Sequence, residues 1–237
     1  VELRREQRAS RVSMADTRVG EVQTRATGVL AGVSRANELL ASGQAAAAVT
    51  LLEPLFTRAP DDLALLQMYG KALTQAGDTQ RAVAVLEAGL ARHPQQFKLE
   101  LFLGQAFAAR GANKKALEHL LRAHELNPAF GPTLVSLADV QQELGRPDEA
   151  ELSLRAALEA GEDELRTRLL LVQVQLEQQA FARALESARG ARDAYPNAVA
   201  AWTWLAEAEA RSGNAEAARA ALAQAEARNP EYERLAA

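Results

Sequence analysis

Pro60, Pro94, Pro128, Pro196 and Pro230 lie on one comb with a spacing of 34 residues, and Glu162 fills its single missing place. At the same interval run Ala48, Ala82, Ala116, Ala150, Ala184 and Ala218, one alanine in every copy. Alanine makes up about a fifth of the chain, but six hits in six are far beyond what that share explains. Four residues further on stand Leu52, Leu86, Leu120, Leu154, Ala188 and Leu222. A third column reads Gly43, Gly77, Gly111, Gly145, Gln179 and Gly213, and a fourth Ala36, Gly70, Gly104, Ala138, Val172 and Ala206. A length of 237 residues would by itself suggest one or two ordinary domains. The period instead divides the chain into six copies of one unit, at 29–62, 63–96, 97–130, 131–164, 165–198 and 199–232. Such a unit is too small to bury its apolar face except against its neighbours.

Each column has a mechanical meaning. The glycine falls between two apolar-periodic stretches of about a dozen residues, where a helix must end and the chain turn. Glycine accepts the left-handed conformation that such a stop uses. The next helix starts at once, with Asp78, Asn113 and Asn214 as expected N-caps and Pro147 as a first-turn residue. It ends before the comb proline, which has no amide hydrogen to extend it. Every unit is therefore a pair of antiparallel helices. The small columns lie where the two helices touch, and the leucine fills the adjoining space. Ala116→Leu is expected to overpack that contact and cost about 1–3 kcal/mol in a thermal melt. Composition agrees: 14 Gly and 8 Pro argue against an all-β fold, while 48% hydrophobic and only 5% aromatic residues suit closely approaching helices.

The columns resemble the tetratricopeptide repeat. Leu103, Gly104, Phe107, Gly111, Ala116, Leu120, Ala123 and Pro128 form a full example of its pattern. The resemblance implies an all-α fold, a right-handed α-solenoid of antiparallel helix pairs, whose first helices line a concave groove at their positions two, five, nine and twelve. Position five reads Val33, Gln67, Leu101, Val135, Leu169 and Thr203, an aliphatic row. Position nine reads Asn37, Lys71, Gln105, Asp139, Gln173 and Glu207, a wholly polar row suited to hydrogen-bonding an extended backbone. With Lys98 and Arg166, the candidate partner-binding residues are Val33, Asn37, Lys71, Lys98, Leu101, Gln105, Val135, Asp139, Arg166, Leu169, Gln173 and Glu207. Lys71 and Lys98 lie in the N-terminal half, and Asp139, Glu143, Glu177 and Glu207 in the C-terminal half, with Arg166 and Arg211 interspersed. That gradient could orient a bound peptide. Some family members clamp a C-terminal carboxylate, but the matching positions here are Val33, Asn37, Met68, Lys98 and Phe102, and only two of the five fit. The repeat at 165–198 departs most, with Arg168, Gln179 and Ala188 at pattern positions, and a slacker turn is expected there. Arg35 stands where the first repeat should have a core leucine. Trp202 takes the pattern's aromatic position, and Trp204 falls near the groove lining.

Outside the repeats, residues 1–28 read as an N-terminal helix or linker and 233–237 as a short stub. Val12, Ala15, Val19, Val22, Ala26, Val29 and Val33 alternate in steps of three and four, as on one side of a helix. Two readings follow: a helix that covers the first repeat, or a coiled-coil seam for a second copy of the chain. A third reading is self-association through this helix or through an open last repeat. A first residue of Val1 fits a chain processed, excised from a longer protein or numbered from a later residue.

Little in the sequence points to chemistry. His119 and His124 are five apart and do not share a helical face, and His93 sits in a turn, so no metal site is expected. Ser136 and Ser153 have no histidine partner in the repeat register. Glu162 and Asp163 read as solvated charges at a helix start. Cysteine is absent, which removes disulfides and thiolate ligands and is compatible with cytoplasm and periplasm alike. A net charge of −4 gives no electrostatic case for nucleic acid. No stretch approaches the roughly 18–20 apolar residues of a membrane span. Four lysines against a large excess of arginine resemble a GC-rich bacterial coding bias. The expected function is a non-catalytic scaffold, without cofactor, that binds an extended or helical segment of another protein. The alternatives are a docking module of a larger enzyme or of a secretion or assembly complex, and a self-associating scaffold.

Overall fold

Two helices and two turns fill each 34-residue span in the computed structural model, which describes residues 28–229. Helix α1 occupies residues 28–41. It is followed by α2 (Ala45–Arg58), α3 (Leu63–Gln75), α4 (Thr79–Arg92), α5 (Phe97–Ala109), α6 (Asn113–Leu126) and α7 (Gly131–Glu143). The series continues with α8 (Pro147–Glu159), α9 (Leu165–Glu177), α10 (Phe181–Ala194), α11 (Val199–Arg211) and α12 (Ala215–Glu226). No strand occurs among the described residues. The fold class is the all-α helical-repeat solenoid. The readings made for residues 12–27 and 233–237 lie outside the described residues.

The turn between paired helices is the same throughout. Gly43, Gly77, Gly111, Gly145 and Gly213 all take φ between 71° and 84°. At Gly43, Gly77, Gly145 and Gly213 the turn amide reaches three residues back and the next amide five, as in Gly77 N to Thr74 O (3.1 Å) and Asp78 N to Leu73 O (3.0 Å). Gln179 corrects the expectation of a slacker turn: its φ is 58°, and its bonds are the same pair, Gln179 N to Leu176 O (3.0 Å) and Ala180 N to Gln175 O (2.8 Å). The hydrogen-bonded ring imposes the conformation on whichever residue sits there. Caps are more varied. Asp78 accepts from the Arg81 amide as expected, and Asp62 does the same for Leu65. Asn113 is already the first residue of α6, with Ala112 at the cap, whereas Asn214 holds the cap position of α12 as expected but turns its side-chain amide to Glu209. Pro147 opens α8.

The chain divides into two compact units, up to Arg110 and from Gly111. In the first, α3 packs on α2, α4 and α5, and α4 also meets α5. In the second, each helix from α6 to α12 packs on the next, and α9 also meets α11. The alanine column is the tightest contact: Ala48, Ala82, Ala116, Ala150 and Ala184 are all 0% exposed. Gly70 shows why its column is small, since a Cβ there would come within 2.4 Å of Leu86 Cδ2. Leu52, Leu86, Leu120 and Leu154 are buried with Ala188, but Leu222 is 46% exposed. Arg35 leaves the core altogether and pairs with Glu38 at 2.7 Å.

Candidate partner-binding site

First helices lie beside first helices within each unit, so equivalent positions on them fall into rows. The rows differ from the sequence expectation at position five. Leu101 and Val135 are buried in the core, Val33 and Leu169 are half-buried, and only Thr203 is exposed. Leu101 and Val135 therefore serve packing, and the aliphatic row is not an open face. At position nine, Asn37 is exposed, while Lys71, Gln105, Asp139, Gln173 and Glu207 are half-buried, so every member of the polar row reaches solvent. Lys98 is exposed beside Phe97, with its ammonium 5.9 Å from the ring centroid.

In the second unit these polar groups are joined to one another. Arg166 on α9 pairs with Asp139 on α7 at 2.7 Å, and Arg211 pairs with Glu207 along α11 at 2.8 Å. Two of the four acids that made up the expected charge gradient are thus neutralised locally. Glu177 accepts from the side chains of Gln173 (2.9 Å) and Gln142 (3.3 Å). Next to them a cleft of about 270 Å³ opens between α11 and α12, lined by Thr203, Trp204, Ala206, Glu207, Ala210, Ala218 and Leu222. Thr203 and Glu207 are the position-five and position-nine residues of their repeat, and Trp204 and Leu222 add an apolar wall. Trp202 is committed elsewhere: its Nε1 donates to Pro196 O at 2.8 Å, and the guanidiniums of Arg192 and Arg228 lie 5.5 and 4.6 Å from its ring centroid.

Sequence reasoning missed a buried polar system behind this surface. Glu151 on α8 is buried and accepts from Gln175 on α9 (3.0 Å), from Arg183 on α10 through both oxygens (2.7 Å each) and from Arg155 (2.9 Å). Burial pushes the Glu151 carboxyl up, but the Gln175 hydrogen bond and the Arg183 and Arg155 charges outweigh it and hold the carboxyl below its ordinary value. Glu209 on α11 repeats the device with Arg189 on α10 (2.8 Å) and Asn214 (2.7 Å), and is likewise held down against the upward effect of burial. In the first unit, Arg81 joins Glu53 (2.6 Å) to the Tyr69 hydroxyl. A signal was present in the period: position eleven of the first helix reads Leu39, Leu73 and Phe107, then Gln141, Gln175 and Glu209. All three of the polar members are buried.

The remaining candidates for chemistry have structural partners. Ser136 Oγ donates to Pro132 O (2.9 Å), and the Ser153 hydroxyl lies 2.7 Å from the Gln141 amide group. Asp163 is exposed just before Glu164, the cap residue of α9, and pairs with Arg168, whose hydrogen bond holds its carboxyl down. Burial, with Glu164 nearby, pushes Glu162 up. No group of three His, Asp or Glu residues among the described residues could hold a metal ion. No helix among them is long and apolar enough to cross a membrane.

Comparison with known proteins finds the same architecture. A family model described as tetratricopeptide repeat matches residues 39–105, and a second of that description matches 135–199 and 169–233. A thermophilic TPR protein from Thermus thermophilus is similar, with a TM-score of 0.67 and 25% identity over 76% of this chain and 98% of that one. YrrB, a TPR protein with an unusual peptide-binding site, has a TM-score of 0.62 at 18% identity, covering 77% and 94%. PilF of Pseudomonas aeruginosa reaches 0.70 at 13% identity, covering 89% and 97%. No curated protein sequence matches the chain.

Proposed function

Because the chain belongs to the tetratricopeptide-repeat family, whose fold serves protein–protein interaction, we propose that it is a non-catalytic scaffold that holds a segment of a partner protein along its first helices. The observation that carries this reading is the cleft between α11 and α12. It joins a half-buried carboxylate, Glu207, and an exposed hydroxyl, Thr203, to an indole and a leucine side chain. Small concave sites of this kind, apolar with a few placed polar groups, suit an apolar side chain carried on a hydrogen-bonding backbone. The polar row leading to it, Asp139, Gln173 and Glu207 in this unit, supplies donors and acceptors for such a backbone. In the first unit, Asn37, Lys71, Gln105 and the exposed Lys98 offer the same kind of groups. That YrrB carries a peptide-binding site on this fold supports the reading at the level of the fold alone.

Ala210→Trp fills the cleft from an exposed position without entering the core. Calorimetry of a purified partner against the wild type, Ala210→Trp and Gln173→Arg is expected to show at least about a tenfold loss of affinity in each variant. A partner bound equally well by all three proteins would remove this surface from the account.

A further inference from the structure

A second cleft, of about 330 Å³, lies between the second helices α8 and α10 and is floored by α9. Three guanidiniums from three helices line it: Arg155, Arg168 and Arg183. Arg168 stands where the neighbouring repeats place Leu134 and Trp202, and is one of the positions at which this repeat departs from its pattern. Its side chain is only 26% exposed, so a charge has been set into a position that packing alone would fill with an apolar group. Each guanidinium is oriented from behind by a carboxylate or amide: Glu151 holds Arg155 and Arg183, Gln178 also holds Arg183, and Asp163 holds Arg168. Those bonds leave Arg155 Nη1, Arg168 Nη1 and Arg183 Nε unused among the described residues. Gly190 faces Arg168: a Cβ there would stand in van der Waals contact with Nη1, at 3.5 Å, so a longer side chain at this position would enter the space beside the guanidinium. Ser187 adds a hydroxyl, and Leu158 and Leu171 close the sides.

We propose that this cleft binds a phosphate group, free or carried as a monoester. A carboxylate is planar and satisfies one guanidinium fork, whereas a tetrahedral dianion presents oxygens in enough directions to meet donors arriving from three helices. Glu186, the one carboxylate in the lining, has no ion pair among the described residues. It opposes an anion and holds the affinity down. The site uses α8, α10 and Arg168 and Leu171 of α9, not the polar rows of the first helices, and does not depend on the partner reading above.

Melting of the full chain in phosphate, acetate and chloride at equal ionic strength tests the proposal, together with calorimetry using inorganic phosphate and O-phosphoserine. Phosphate is expected to raise the melting temperature with a saturable dependence that acetate and chloride lack. Arg168→Leu, which places there the leucine found at Leu66 and Leu134 in two other repeats, should keep the helical circular dichroism and weaken phosphate at least about tenfold. Gly190→Leu, in a helix that gains from the change, blocks the cleft from the opposite wall and should do the same. Glu186→Gln should bind phosphate more tightly. Binding of both probes identifies a phosphomonoester as an acceptable ligand, and binding of inorganic phosphate alone identifies the free anion. Equal melting in the three salts, or phosphate binding that survives both Arg168→Leu and Gly190→Leu, overturns the site.

Discussion

At Gln179 the backbone stands at φ 58°, in the region that six other turns among the described residues assign to glycine. A Cβ in that region costs about 1 kcal/mol relative to glycine, and the hydrogen bonds of the turn hold the residue there regardless. Gln179→Gly is therefore expected to stabilise the protein by about 1 kcal/mol in a denaturant titration; an unchanged midpoint would mean that the glutamine side chain compensates. Gly70 sits under the opposite constraint. Gly70→Ala would press its methyl against Leu86 and is expected to lose about 1–3 kcal/mol, measured in the same titration. Residue types at such points were legible in the sequence because sterics select them: only small residues fit opposite Leu86, and glycine is the default at positive φ. The turn at Gln179 was misread for the same reason. Identity reports what a residue tolerates, while the conformation it is given comes from bonds made by its neighbours.

Helices that have neighbours on several sides bury more than one stripe, and this is where the candidate surface departed from expectation. α5 buries Leu99, Glu100, Leu101, Leu103, Gly104, Ala106 and Phe107, whereas α6 buries only Ala116, Leu120 and Ala123. A periodic pattern resolves a narrow stripe like that of α6 and blurs a wide arc like that of α5, so Leu101 could not be assigned to core or groove by spacing. The polar row at position nine was legible because charged and amide side chains are rarely enclosed without partners. The Glu151 and Glu209 systems were legible only as polar residues in columns that begin apolar, since the arginines Arg183 and Arg189 that complete them come from another helix. Both carboxyls are held below the unfolded-state value, so the unfolded chain binds more protons as acid is added. Their contribution is present above the ordinary glutamate value of about 4.3 and is lost as the pH falls through the lower folded values. Thermal melts from pH 7 to pH 3 should show a steep acid limb, and Glu151→Gln should flatten it; an acid limb identical in the two proteins would assign it to other groups.

Across the molecule, stability in a repeat protein approximates a sum of unit and nearest-neighbour terms, so local opening follows local burial. α12 buries only Ala218, Ala221 and Ala225, while α4 buries Ala82, Val83, Leu86 and Gly89. Amide hydrogen exchange is expected to be faster in α12 than in α4, and Leu222→Glu should change stability by no more than about 0.5 kcal/mol. Comparable protection of the two helices would show that α12 is covered in solution. The carboxylate systems give this arithmetic an unequal character. Glu151 on α8 is completed by Gln175 on α9 and Arg183 on α10, and Glu209 on α11 by Arg189 on α10. Each side chain is one half of a fitting whose other half belongs to a particular neighbour. The copies from α8 to α11, interchangeable by their alanines and glycines, are thus keyed to one another: exchanging one of them for another copy would leave a buried carboxylate without its arginine.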